Sequence, residues 1–324
     1  MFVTHIRRSA VAAVLCLAAT AAFASGGAMS LIPADAVSVG VVRVADLRSS
    51  PLSSTLFEHA DRFGSDGEAE KFLNDAGLDL AKDIDVLVVA TAPKTRLRSE
   101  GEVIVLADGR FSVGRLTGAL LARGAVKKSS AHGAYYTLPD AAEEQRAGAV
   151  AFPSSTLAIA GSETAVIKAL QARAAGGGSF AQSGLGFDMG RIDAGASAWA
   201  LVDVVRAARL TGGTGRLHRG DSDQPLAAAI RSISTVGMWA TDTGDALKLG
   251  AFGLASDTET LQLVEDTLRG ALSALRLSVR EKSPEMVSVL RRFDVRRTRD
   301  AVRISGTIPG DSLRKLMAEK RARK

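Results

Sequence analysis

Few side chains in this chain have the type and spacing that chemistry requires. Ser312-Leu313-Arg314-Lys315 puts a hydroxyl and an amine one helical turn apart, the Ser-x-x-Lys spacing of some acyl-transfer nucleophiles. The Ser-Asp-Asn and Lys-Thr-Gly runs that accompany such a nucleophile do not occur. No Gly-x-Ser-x-Gly elbow is present either. Histidine is scarce: His5, His59, His132 and His218 stand far apart, without the paired spacing of metal ligands. Thr211-Gly212-Gly213-Thr214-Gly215-Arg216 is glycine-rich but lacks the Gly-Lys-Ser/Thr ending of a phosphate loop, and reads as a loop. Arg219-Gly220-Asp221 reads as loop sequence too. Asp221 and Asp223 offer two oxygen donors where calcium needs about six to eight. No metal or cofactor is implied. What remains for catalysis is a pair of carboxylates, Asp203 and Asp242, at or near the ends of apolar strand candidates.

The elements that would position these groups follow from hydrophobic period. Val37 to Val44 is an apolar strand candidate. Helix candidates follow at Leu52 to Phe63 and Glu68 to Ala76, then strands at Asp85 to Ala92 and Glu102 to Ala107, and a helix from Ser112 to Arg123. A short strand at Ala134 to Leu138, a hairpin at Ala149 to Phe152 and Thr156 to Ala160, and a helix from Ser162 to Arg173 complete the first half. The second half repeats the order. It opens on Ala198 to Val204, passes through helical or irregular sequence to Ile230, and has strands at Thr235 to Ala240 and Leu247 to Leu254. A long helix from Asp257 to Leu275 carries Leu261, Val264, Leu268, Leu272 and Leu275 on one face. Ser256 and Glu259 have capping-box spacing at its start. Strands at Val289 to Arg296 and Ala301 to Thr307 and a closing helix at Asp311 to Lys320 end the chain.

This pattern predicts an α+β fold of two tandem copies of an antiparallel or mixed sheet packed against helices, related by a pseudo-twofold. The expected boundaries are a signal peptide at 1–24, a first repeat at 25–175, a Gly-rich linker at 176–195 and a second repeat at 196–324. The chain resembles a family of exported proteins of GC-rich bacteria with no assigned activity. The resemblance rests on the export signal, Leu31-Ile32-Pro33-Ala34-Asp35, the Gly109-Arg110-Phe111 junction between strand and helix, and Ile308-Pro309 before the closing helix. It implies no activity.

Export is read from Arg7-Arg8, the uncharged run Ala10 to Ala24 and the small residues Ala22 and Ala24 around Phe23. Cleavage after Ala24 removes Cys16, the only cysteine, and leaves no second long apolar run. The expected location is periplasmic or secreted, with no transmembrane segment after cleavage.

Charge is unevenly spread. The 324 residues carry 41 Lys+Arg and 35 Asp+Glu. From Arg276 onward there are 15 basic and 6 acidic residues, a net of +9. Arg292, Arg296, Arg303, Arg321 and Arg323 are therefore the candidate binding residues, on a basic surface for an anionic envelope component or an acidic protein surface. Nucleic acid is not expected, because aromatics are only 5% and are not interleaved with the cations. The function expected is a non-catalytic exported envelope protein that binds a protein, an envelope polymer or a small apolar ligand. The alternative is an extracytoplasmic hydrolase or transferase using dispersed carboxylates.

Overall fold

The computed structural model describes residues 27–53, 75–93, 101–138, 148–178, 180–210, 233–280 and 283–322. The expected signal peptide, most of the helices expected at 52–76, the glycine-rich stretch 211–216, the acidic pair at 221 and 223, His59, His218 and Arg323 lie outside the described residues.

Alternating apolar residues build a single antiparallel sheet of 12 strands, ordered β11-β12-β10-β9-β8-β1-β2-β3-β7-β6-β5-β4. The first half contributes β1 (Ser38–Arg43), β2 (Ile84–Pro93), β3 (Gly101–Gly109), β4 (Val126–Ser130), β5 (Gly133–Thr137), β6 (Gly148–Ser154) and β7 (Leu157–Ser162). The second half contributes β8 (Ala198–Asp203), β9 (Thr235–Asp242), β10 (Ala246–Leu254), β11 (Asp294–Arg297) and β12 (Ala301–Pro309). The α+β reading holds, and every pairing is antiparallel. Where the sequence suggests a sheet for each half, the structure has one continuous sheet. The halves join at β1 and β8, which pair from Ser38↔Val202 to Val42↔Ala198. Each strand would otherwise expose an unpaired apolar edge, which the pairing removes. The two true edges, β4 and β11, instead carry Lys127, Lys128, Arg296 and Arg297, charges that discourage further strand addition.

The strand period assigns the core. On one face lie Val39, Val41, Val88, Ala90, Ile104, Leu106, Ile159 and Leu201, all buried in the main cluster. That face is covered by α4 (Glu163–Ala174), by the 3-10 turn Met29–Leu31, and by Phe180 and Leu185. On the other face two smaller clusters form beneath α3 (Val113–Ala122) and α7 (Thr258–Val279). The short α1 (Val44–Ser49), α2 (Leu80–Asp83) and α6 (Val204–Leu210) adjoin strand ends, and α5 (Gly184–Asp188) contacts β8. Among the described residues, no helix is long and apolar enough to cross a membrane.

Three local differences from the sequence reading have physical causes. The glycine-rich run at 176–195 is not featureless: it forms turns at Phe180–Gln182 and Met189–Arg191 around α5, and Phe180 and Leu185 enter the core. Gly186 is there for close packing, since a Cβ would sit 1.9 Å from the Phe180 carbonyl oxygen. Of the strand expected from Val289 to Arg296, Val289 and Leu290 end α8 (Pro284–Leu290), which a Ser283 cap and Pro284 in the first turn begin, and 291–293 form a turn. Those start signals outweigh the β-branched content, and only Asp294–Arg297 remains extended. At the start of α7 the cap is Asp257, not Ser256; its carboxylate accepts from the Glu259 and Thr260 amides at 2.9 and 3.0 Å. A carboxylate there also meets the positive end of the helix.

Candidate functional site: an apolar cavity with a buried carboxylate

The cavity begins with small residues on one stripe of α4. Ala165, Lys168, Ala169 and Ala172 recur at three- and four-residue steps, so they share a face. Val166 and Leu170 on the neighbouring stripe pack fully into the core. Ala165 and Ala169 pack in the core cluster, and beside this stripe opens a pocket of about 230 Å³. Its floor is Ala92 on β2 with Glu102 and Ile104 on β3. Its far wall is Leu31, Ile32, Pro33, Ala34 and Asp35, the lead-in to β1. The Leu31–Asp35 motif singled out in the sequence is thus one side of this cavity.

Glu102 is 5% exposed. Its strand parity gives the reason: it shares a face with Ile104 and Leu106, which point into the core. A buried carboxylate must be paired and hydrogen-bonded. The Lys168 ammonium donates to one oxygen. The Ser162 hydroxyl donates to the other at 3.1 Å and also caps α4 through the Ala165 amide. The partners are unequal, because the Lys168 side chain is 49% exposed while that of Glu102 is 4% exposed. The acid is fixed at the inner end, and the cation reaches it from the solvent side.

A second carboxylate on the same strand and face, Asp108, lies at the opposite end of β3. It borders a separate, more open cleft of about 400 Å³ with Arg173, Gly176 and Gly177. Both its oxygens take the Ala28 amide, at 3.0 and 3.1 Å. Burial pushes its carboxyl above the usual value, against that amide bond, and the nearby Asp85 charge adds to the rise.

The residues expected from the sequence are placed as follows. Asp203 caps the start of α6 through the Arg206 amide at 2.9 Å and lies 3.9 Å from the Arg206 guanidinium. Asp242 holds the loop after α1: the Ser53 hydroxyl donates to it, and the Gly244 amide donates at 2.7 Å. Asp203 lies opposite Thr235 in the β8–β9 register, seven positions before Asp242. At a rise of about 3.4 Å per residue, the two acids are roughly 24 Å apart along the strands. They form no catalytic pair. Ser312 and Lys315 both turn to Glu285, at 2.5 and 3.9 Å, instead of to each other. His132 is exposed in the β4–β5 turn, and among the described residues no three potential metal ligands cluster.

The basic candidates are dispersed. Arg292 is exposed in the turn before β11, not on a strand. Arg296, exposed, pairs with Asp294 at 2.5 Å. Arg303 stands directly opposite Arg296 in the register, but its guanidinium lies 5.0 Å from the Trp239 ring centre and donates to the Arg191 carbonyl at 3.3 Å. Arg321 is in α9 (Gly310–Ala322), with its side chain outside the described part, as is Arg323. Other cations of the segment are engaged structurally. Arg276 donates to the Leu290 and Phe293 carbonyls, and Arg297 pairs with Glu265.

Sequence reasoning overlooked Glu102 and Lys168. The signal was present in both periods: a charge on the apolar parity of β3, and a lysine on the alanine stripe of α4.

No protein-family model matches the chain, and no curated protein matches it. Among solved structures it is similar in fold to crystal form III of TP0453, with TM-score 0.51 and 13% identity over 91% of this chain and 99% of that one. Crystal form IV of TP0453 gives TM-score 0.48 and 13% identity over 92% and 98%. These likenesses concern the fold.

Proposed function

We propose that the protein is an exported, non-catalytic binding protein that takes a small apolar ligand into the cavity beneath α4. The observation that carries this reading is the cavity itself. It is a part-open pocket that combines aliphatic residues with a few polar groups, Glu102, Lys168 and Asp35, as small-molecule sites do. The hydrolase or transferase alternative loses its support, because Asp203 and Asp242 do not converge and each serves a loop or helix start. Native mass spectrometry of the mature protein purified from its own host tests the reading. A retained small molecule that is lost in Ala169→Trp supports it; a mass equal to the bare chain in both proteins overturns it.

Two further parts belong to this proposal, the first resting on the sequence alone and the second on the sequence together with the strand order. The chain is exported with cleavage between Ala24 and Ser25, which N-terminal sequencing of the exported protein tests. The two halves are copies of one unit. In support, β1-β2-β3-β7-β6 and β8-β9-β10-β12-β11 follow the same order outward from the centre. The β4–β5 hairpin extends the first half alone.

A second reading assigns the basic C-terminal segment to an anionic envelope component or an acidic protein surface. The exposure of Arg292 and Arg296 favours it.

A further inference from the structure

The open cleft at the end of β3 favours a cation. Asp108 is half-buried there, and its carboxylate is bonded by one backbone amide, that of Ala28. Arg173, the cation among the lining residues, donates instead to the Pro153 carbonyl oxygen at 3.2 Å. The charge acting on Asp108 is another acid, Asp85, and burial and that charge both disfavour the ionised form. Gly176 and Gly177, just past the end of α4, form one wall, so the cleft also faces the negative end of that helix.

The chain itself enters this cleft at Gly27. Gly27 has a φ of +102°, and a Cβ on it would sit 2.3 Å from an Asp108 oxygen, so the backbone turns closely around the carboxylate. Ala28 is fully buried, and Leu31 and Ile32 belong to the main core. Ser25 and Gly26, which precede Gly27 in the sequence, lie outside the described residues. Three residues separate the Ser25 nitrogen from that of Ala28, a span of at most about 11 Å. The Ala28 nitrogen is 3.0 Å from Asp108, so the Ser25 nitrogen is within reach of the same carboxylate. Two consecutive glycines permit the return turn, and amides around a left-handed residue suit an anion.

Hydrolysis of the Ala24–Ser25 bond leaves a carboxylate on Ala24 and an amine on Ser25, which takes up a proton at neutral pH. We propose that this new ammonium folds back onto Asp108, so that removal of the signal peptide creates an ion pair that the precursor lacks. The pair offsets part of the cost of burying Asp108 and fastens the 27–32 segment to the sheet. This rests on the cleavage reading above.

Sequencing of the exported protein tests the cleavage separately. A first residue other than Ser25 overturns the cleavage reading and the pair with it. With Ser25 confirmed, the full mature chain is compared with its N-terminally acetylated form, each as wild type and as Asp108→Asn. Acetylation should lower the wild-type melting temperature at pH 7 by about 2 °C and leave that of Asp108→Asn unchanged. The α-amine, followed by NMR after isotopic reductive dimethylation, which keeps its charge, should titrate higher in the wild type than in Asp108→Asn by about half a pH unit or more. An α-amine that titrates alike in both proteins, or acetylation that acts equally on both, overturns the pair, leaves the cleavage reading standing, and leaves the cleft to an external cation.

Discussion

Gly40 on β1 lies directly opposite Ala200 on β8, and the two are 160 positions apart in the chain. The same offset carries the turn Met29–Leu31 to Met189–Arg191, β1 to β8, and the start of α1 at Val44 to that of α6 at Val204. These two stretches pair antiparallel through β1 and β8 at the centre of the sheet. The cavity belongs to the first half only. There α4 packs on β3, β6 and β7, whereas α9 lies against β12 and α8.

Filling the cavity should be tolerated where filling the packed core is not. Ala169→Leu places its added carbons in the void beneath α4. Its melting temperature should stay level or rise. Ala151 is fully buried between strands, so Ala151→Leu should cost about 1–3 kcal/mol through overpacking. Paired urea denaturation curves check both.

Two acids should shape acid stability in opposite directions. Burial pushes the Asp242 carboxyl upward, but bonds from Ser53, Ser50 and the Gly244 amide outweigh it, and the group ends below its usual value. Its contribution is complete above the unfolded value of about 3.9 and is lost as pH falls through the lower native value. Asp108 is raised, so it behaves in reverse: its cost appears as pH rises from the unfolded value through the native one. Asp242→Asn should therefore be less stable than wild type at pH 7, and Asp108→Asn more stable, with both differences shrinking toward pH 3. Urea midpoints across that range measure this.

Cations in the basic segment should separate into structural and surface groups. Arg276 donates to two carbonyls at 3.0 to 3.2 Å, joining α7 to the turn after α8. Arg276→Ser should cost about 1–3 kcal/mol. Replacing Arg292, Arg296, Arg321 and Arg323 together with Ser should leave stability nearly intact, because Arg292 and Arg296 are exposed and exposed charges contribute little. If the segment is an interaction surface, the fourfold variant should sediment less with purified host envelopes at low salt, and added salt should mimic it. Equal sedimentation of both proteins removes the surface reading.

Gly250 should be intolerant of any side chain. It faces Trp239 across the β9–β10 register, and a Cβ there would sit 2.1 Å from the indole ring. Gly250→Ala should shift tryptophan emission and cost about 1–3 kcal/mol by displacing the ring. Gly270 in α7 has open space around it, so Gly270→Ala should stabilise by about 0.5–1 kcal/mol through helix propensity. Fluorescence and thermal unfolding of the two variants check the contrast.

Within the sequence, the local elements were legible because each is a statement about neighbours. Alternation marked β2, β3 and β10, and the leucine stripe marked α7. β4 was missed because all but the last of its residues are exposed and it lacks an apolar parity. The reading of Val289 to Arg296 as a strand held only from Asp294, because the helix that Ser283 and Pro284 begin runs through Leu290 and a turn follows it.

The sequence by itself determined the α+β class, most of the strands and the longer helices, the uneven charge and the lack of a nucleophile motif, since these depend on residue type and short spacing. Tertiary structure alone decided that β1 and β8 fuse two halves into one sheet, that Asp203 and Asp242 stand at opposite ends of neighbouring strands, and that Glu102, Lys168 and Ile32 meet around one cavity. Those relationships are set by pairing and packing between segments far apart in the chain, 160 positions in the case of Gly40 and Ala200. A local period shows which face of an element is apolar; it does not specify which other face will cover it.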